Sequence, residues 1–340
     1  MTTRTKANPL FVSALFILGP ILVIACFAWS LSTGPMGFTL NDFKQAILVK
    51  YWEADAYVVL TTLRLPNTIA IALAGAALAC SAAMLQGLTR NRLAAPTTFG
   101  LTEMASLSLL VTWSSITSMQ NSISVSTLTV ATTMVGCILG YILLYAVVRL
   151  LKISTSSIQL ILAGAFIGTA AHFILALLYM LNRFSEEATI SSIRGHGIFK
   201  GESYTLAFVI IAALIAATLM SSLISKHYNN ERSAGVIVHI LSTVIITIMT
   251  GIAVWFVGPV ACVGFASSVL LSKWCGNNYS IIIPGSAIIG AIILLLANIF
   301  SKSLSPIFEM PLAQFTNVFA IPLFIVMLWS YYRKKKALLF

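Results

Sequence analysis

Residues Leu63–Gly100 read LRLPNTIAIALAGAALACSAAMLQGLTRNRLAAPTTFG. From Ile69 to Leu85 no residue carries a charge, and small apolar residues dominate. Arg64 stands before this run, and Arg90 and Arg92 stand after it. About 20 apolar residues at ~1.5 Å each cover the ~30 Å hydrocarbon layer of a bilayer. An apolar run of that length between cations reads as a helix that crosses lipid, with the arginines at the two water interfaces.

The rest of the chain agrees. Of 340 residues 59% are hydrophobic and 9% charged, with a net charge of +11. Soluble chains are about half apolar and about a quarter charged. One water-soluble domain of this length cannot hide so much apolar surface, so lipid is the solvent. The basic residues are scattered through short connectors and the tail instead of forming one face, which argues against a nucleic-acid partner. They suit topology and anionic head groups. Five cysteines, mostly inside apolar runs and without a CxxC pair, predict neither a disulfide framework nor a metal site. The first apolar run, from Pro9, reads as a retained helix and not a cleaved signal.

Nine stretches are long and apolar enough to cross: 9–31, 57–88, 97–117, 123–151, 155–182, 204–225, 236–257, 279–301 and 312–332. Between the last three, Gly258–Gly276 (GPVACVGFASSVLLSKWCG) predicts a short tenth element entered through Gly258-Pro259 and buried in protein. Ten crossings put both termini on one side. If that side is the cytoplasm, thirteen of the 20 basic residues lie inside, among them Arg90, Arg92, Arg149, Lys226 and the Arg333–Lys336 tail. The expected fold class is all-α and polytopic, one transmembrane domain over 1–340. Pro96 is expected to open the third span, and Glu103 to lie about two turns inside it. The small-residue runs at 75–83 and 163–171 predict close helix packing.

The opening stretch also resembles the second span and following loop of the iron–siderophore and cobalamin ABC-importer permeases, the type II importers. The matching residues are Arg64-Leu65-Pro66, Gly75-Ala76, Gln86-Gly87, Arg90-Asn91, Leu93-Ala94, Pro96 and Gly100. Thr250–Phe265 (TGIAVWFVGPVACVGF), IIIPGSAIIGAIILLLANIF and Glu309-Met310-Pro311 resemble further family blocks, in order, from about residue 57 to 330. The resemblance implies a type II importer permease fold of ten helices in an inner membrane. It implies a partnership with two ATPase subunits, a second permease subunit and a periplasmic substrate-binding protein. The cargo class is a ferric siderophore, with cobalamin or haem as alternatives.

No GxxxxGK[ST] loop is present, so ATP and Mg are expected on the partner ATPase and no cofactor in this chain. HExxH and GxSxG are absent too, and the chain reads as a transport subunit and not an enzyme. The segment SKHYNNERSAGV, Ser225–Val236, resembles the family's coupling loop, expected at about 225–238. Arg232, Ser233 and Gly235 match it, and Tyr228-Asn229 replace its acidic pair. Arg64 and Lys302 match basic positions at the periplasmic rim where the binding protein docks. Arg194 and Lys200 are further docking candidates.

Ser268, Val269 and Ser272 stand where the family has a Pro-His and a following arginine, and Arg92 replaces a proline. These departures point to a heterodimer with a different second permease. Candidates for the translocation path are Gln86, Asn91, Glu103 and His172, with Met84, Met104 and Met180 as parts of a weakly adhesive wall. His172 also reads as a packing histidine within its span. An ion-coupled secondary transporter is the rival reading, and Glu103 and His172 would then be its titratable groups.

Overall fold

A computed structural model describes residues 8–34, 55–116, 125–152, 158–180, 203–229 and 235–304, and the single positions 312, 315 and 316. The regular elements among them are all helical. They are α1 (Pro9–Ser32), α2 (Leu65–Thr89), α3 (Leu101–Ile116), α4 (Val125–Leu150), α5 (Ile158–Met180), α6 (Ser203–Tyr228), α7 (Val236–Val257), α8 (Val263–Cys275) and α9 (Tyr279–Leu304). Among the described residues, seven helical segments are long and apolar enough to cross a membrane, while α3 is a shorter apolar helix. The expected span 312–332 lies almost wholly outside the described residues. Helices satisfy every interior backbone group within the segment, which lipid demands.

The central element is α2. Its residues from Gly75 through Gly87 are all buried. It packs on α9, α7, α6 and α8, while α3 packs on α4 and α5. Between helices in lipid there is little hydrophobic drive, so close approach and dispersion must hold them. Small residues make that approach. A Cβ on Gly264 of α8 would lie 2.6 Å from Ala82 Cβ and 2.7 Å from the Leu78 carbonyl oxygen. A Cβ on Gly75 would collide with the backbone of Gly290 in α9. The run at 163–171 packs by one face only: Ala163, Gly164, Ile167, Gly168 and Ala171 are buried, while Phe166 and Thr169 are exposed.

Before α2 the chain makes a helical turn, Asp55–Val58, and then a π turn, Val59–Arg64. The Leu65 N–H reaches back to the Leu60 carbonyl. Pro66 has no N–H to offer, so the regular ladder fails at this point and the wider turn takes its place. Arg64, at the end of that turn, is buried.

Two sequence expectations change. Pro96 does not open the third helix. Residues 93–100 form a folded connection in which Thr98 Oγ1 donates to the Leu93 carbonyl at 2.9 Å and accepts from the Ala95 N–H at 2.8 Å. Gly100, at φ +72°, turns the chain into α3. Glu103 consequently lies in the first turn of α3 and not two turns inside, a position where a carboxylate suits the helix dipole. The short tenth element is entered through Gly258-Pro259 as expected, and its helix runs from Val263. With 13 residues it spans only about 20 Å. The non-helical link Gly258–Cys262 contains the buried Val260, as membrane-depth backbone requires.

The helix ends gather at two poles. At one, Asn8 N–H donates to the Trp274 carbonyl at 3.2 Å, and Phe11 stacks on Trp274 at 4.7 Å. The C-terminal ends of α2, α6 and α8 and the start of α9 share this pole. At the other, the end of α1 meets Arg64 and the end of α9.

Candidate functional site

Polar side chains meet at the two poles and at several points within the bundle. At the pole where α2 ends, Arg90 takes a left-handed backbone, φ +53°. That conformation costs an L-residue other than glycine roughly 1–2 kcal/mol. Its guanidinium Nη2 donates to the His227 carbonyl in the last turn of α6 at 2.8 Å. His227 Nε2 lies 3.2 Å from the Leu88 carbonyl in α2. The ends of α2 and α6 are thus tied in both directions.

Three further contacts bring in the α8–α9 turn. Arg92 donates to Asn277 Oδ1. Ser225 Oγ donates to Asn278 Oδ1 at 3.4 Å. The rings of Tyr228 and Tyr279 lie 4.6 Å apart.

The coupling candidates divide. Tyr228 and Asn229 are half-buried at the end of α6, where the Asn229 N–H donates to the Ser225 carbonyl at 3.1 Å. Gly235 caps α7 at φ −64°, ψ 162°, extended backbone open to any residue, and a Cβ there would meet nothing within 4 Å. A glycine is not required there to break a helix. Arg232 and Ser233 lie outside the described residues.

Of the path candidates, Asn91 is buried, and its Oδ1 accepts from the Leu93 N–H at 3.0 Å, which shapes the turn. Gln86 is buried in the last turn of α2, and its Nε2 donates to Ser268 Oγ at 2.8 Å, joining α2 to α8. Ser268, one of the departures from the family pattern, therefore has a partner inside this chain. Glu103 accepts from Thr102 Oγ1 at 2.7 Å, and its carboxylate faces Gly168 of α5.

His172 is exposed on α5, beside the exposed Phe173, so its reading as a packing histidine within this chain is corrected. The small residues of α5 pack by the face of Gly164, Gly168 and Ala171, and His172 falls outside it. Met84 is fully buried in the core and walls no path in this conformation, whereas Met104 is half-buried and Met180 exposed.

At the opposite pole Arg64 and Lys302 converge on α1. Arg64 Nη1 donates to the Leu31 carbonyl at 2.9 Å, and Lys302 Nζ to the Ser30 carbonyl at 3.2 Å. Asn298 Nδ2 donates to Ser30 Oγ at 2.8 Å. The last carbonyls of a helix lack intrahelical donors and carry its negative pole, so cations fit there. Arg64 is only 6% exposed. The docking candidates Arg194 and Lys200 lie outside the described residues.

Sequence reading missed Ser30, Asn298, His227, Asn277 and Tyr279. Asn298, a lone amide in LLLANIF, is the one whose setting gives a signal, since an isolated polar group in an apolar span needs a partner.

Comparison with known proteins places this architecture. The model of the FecCD transport family matches residues 22–330. The Fe(3+)-citrate import system permease protein YfmD of Bacillus subtilis is 25% identical over 322 residues, 92% of this chain and 93% of that protein. The vitamin B12 import system permease protein BtuC of Vibrio vulnificus is 29% identical over 286 residues, 79% of this chain and 82% of that protein. Among solved structures, a metal-chelate type ABC transporter in an inward-facing conformation has the same fold. The TM-score is 0.72 at 19% identity, covering 95% of this chain and 100% of that one. A lipid-embedded helical bundle matched over nearly its whole length is a multi-pass transport subunit, and the chain belongs to the FecCD transport family.

Proposed function

We propose that this chain is the permease subunit of an ATP-driven importer that carries a ferric siderophore across the inner membrane. The family match over residues 22–330 carries the reading, and relatives named as ferric-citrate and ferric-hydroxamate import permeases support the cargo class. Two ATPase subunits bind ATP and Mg. A second permease completes the path, and a periplasmic binding protein delivers the chelate. The departures at Ser268, Val269 and Ser272 favour a different paralogue as the second permease. Both termini face the cytoplasm, and the pole holding Arg90, Arg92 and Tyr228 faces the ATPases. Closure of the ATPases pushes on the segment from Tyr228 through Arg232 and Ser233 to Gly235.

The Arg64–Lys302 pole faces the periplasm. There the two cations supply positive potential under the docking surface, which steers an acidic partner more than it adds affinity. Arg194 and Lys200 add to the same rim. Gln86, Asn91, Glu103 and His172 are the polar groups assigned to the path in this reading. Reconstituted with its partners, the complex is expected to import a radiolabelled ferric hydroxamate only with ATP. Uptake driven by an ion gradient without ATP would refute this reading. The similarity to a vitamin B12 permease makes cyanocobalamin the second cargo to test.

A further inference from the structure

We propose that Arg90 is a positioning residue that clamps the end of α6 to the end of α2, so that movement of the coupling segment enters the core helix directly. The inference deepens the proposed function and rests on the reading of 228–235 as the segment the ATPases engage. Four observations carry it.

The first is local. Arg90 holds a left-handed backbone that glycine adopts without strain and arginine does not. The side chain must therefore compensate for an unfavourable residue at that turn. The second is the reciprocal pair. Arg90 Nη2 donates to the His227 carbonyl at 2.8 Å, and His227 Nε2 lies 3.2 Å from the Leu88 carbonyl. Carbonyls in the last turn of a helix lack intrahelical donors, so the guanidinium completes the end of α6.

The third is position. His227 and Tyr228 are the last residues of α6, and the coupling segment continues from them. A push on that segment reaches the clamp at its α6 end, as it reaches α7 at its other end. The fourth is the destination. α2 is buried along most of its length and packs on α9, α7, α6 and α8, so a displacement of its end is shared by most of the bundle. The Tyr228–Tyr279 ring contact and the Arg92–Asn277 bond run in parallel to the start of α9 and keep the three helix ends in register.

Two variants of the full transporter test the clamp: Arg90→Gly, which relieves the backbone and removes the guanidinium, and Arg90→Lys, which keeps a cation in reach of the carbonyl. ATP hydrolysis is measured in proteoliposomes with and without the binding protein loaded with a ferric hydroxamate, and the ATPase retained per permease is quantified. In Arg90→Gly the stimulated-to-basal ratio is expected to fall at least fivefold with ATPase retention unchanged. Arg90→Lys is expected to restore at least half of the lost stimulation. A ratio within twofold of wild type in Arg90→Gly would overturn the proposal. So would a lysine variant no better than the glycine one. Loss of the ATPase from the Arg90→Gly complex would overturn it as well, because the residue would then serve assembly only. Deletion of 228–233 is the control for the underlying reading. Normal stimulation in that deletion defeats the coupling segment itself, whereas lost stimulation beside a normal Arg90→Gly defeats only the clamp.

Discussion

The amide of Gln86 illustrates what a single buried polar group requires in this bundle. Its Nε2 donates to Ser268 Oγ across two helices that are otherwise packed with small apolar residues. Ser268→Ala leaves that N–H facing carbon, and an unsatisfied buried donor costs about 1–3 kcal/mol. The variant should unfold at lower temperature in detergent, and adding Gln86→Leu should recover most of the loss, because both partners are then apolar. Arg64 calls for a different measurement. It matches a docking position by family pattern, yet its guanidinium is buried against Gly34 and bonded to the Leu31 carbonyl. Arg64→Ala should therefore lower the thermal stability of the permease with no binding protein present, by about 1.5–3 kcal/mol for a charged hydrogen bond. An unchanged melting temperature would restrict Arg64 to the encounter with its partner.

Helix contacts here are set by what is missing from the side chains. α8 enters beside α2 only because Gly264 has no Cβ to meet Ala82 and the Leu78 carbonyl. Gly264→Val is expected to separate the two helices and cost about 1–3 kcal/mol or more through overpacking. Size-exclusion profiles and unfolding temperature check it. Gly235 is the matched contrast at the start of α7, with ordinary backbone angles and open space around it. Gly235→Ala should change stability by no more than about 0.5 kcal/mol. The family-like glycine at 235 and the family-like glycine at 264 look equivalent in a sequence. Only the neighbours, 182 and more residues away in the case of the Gln86–Ser268 contact beside Gly264, separate them.

At the scale of the molecule, ten crossings and the bias of basic residues predict that the pole of Lys226 faces the cytoplasm and the pole of Ser303 the outside. Both residues are exposed. In intact spheroplasts an impermeant maleimide should label Ser303→Cys, and should label Lys226→Cys only after permeabilisation. The inverse pattern would reverse the orientation. The sequence by itself pointed to seven long apolar helices found among the described residues, to an all-helical class and to the family. Apolar length and flanking charge are local quantities, and water and hydrocarbon differ enough for composition to report them. It did not determine which side of each helix is buried. Lipid tails and protein interior are about equally apolar, so hydropathy cannot tell the packed face of α5 from the face that carries Phe166, His172 and Phe173. Only the tertiary structure decided that the helix of α8 begins at Val263, after the non-helical link Gly258–Cys262. It alone brought Arg90 to a carbonyl 137 residues away and Lys302 to one 272 residues away. Those pairings arise from the packing of whole helices, and no window of local sequence contains both partners.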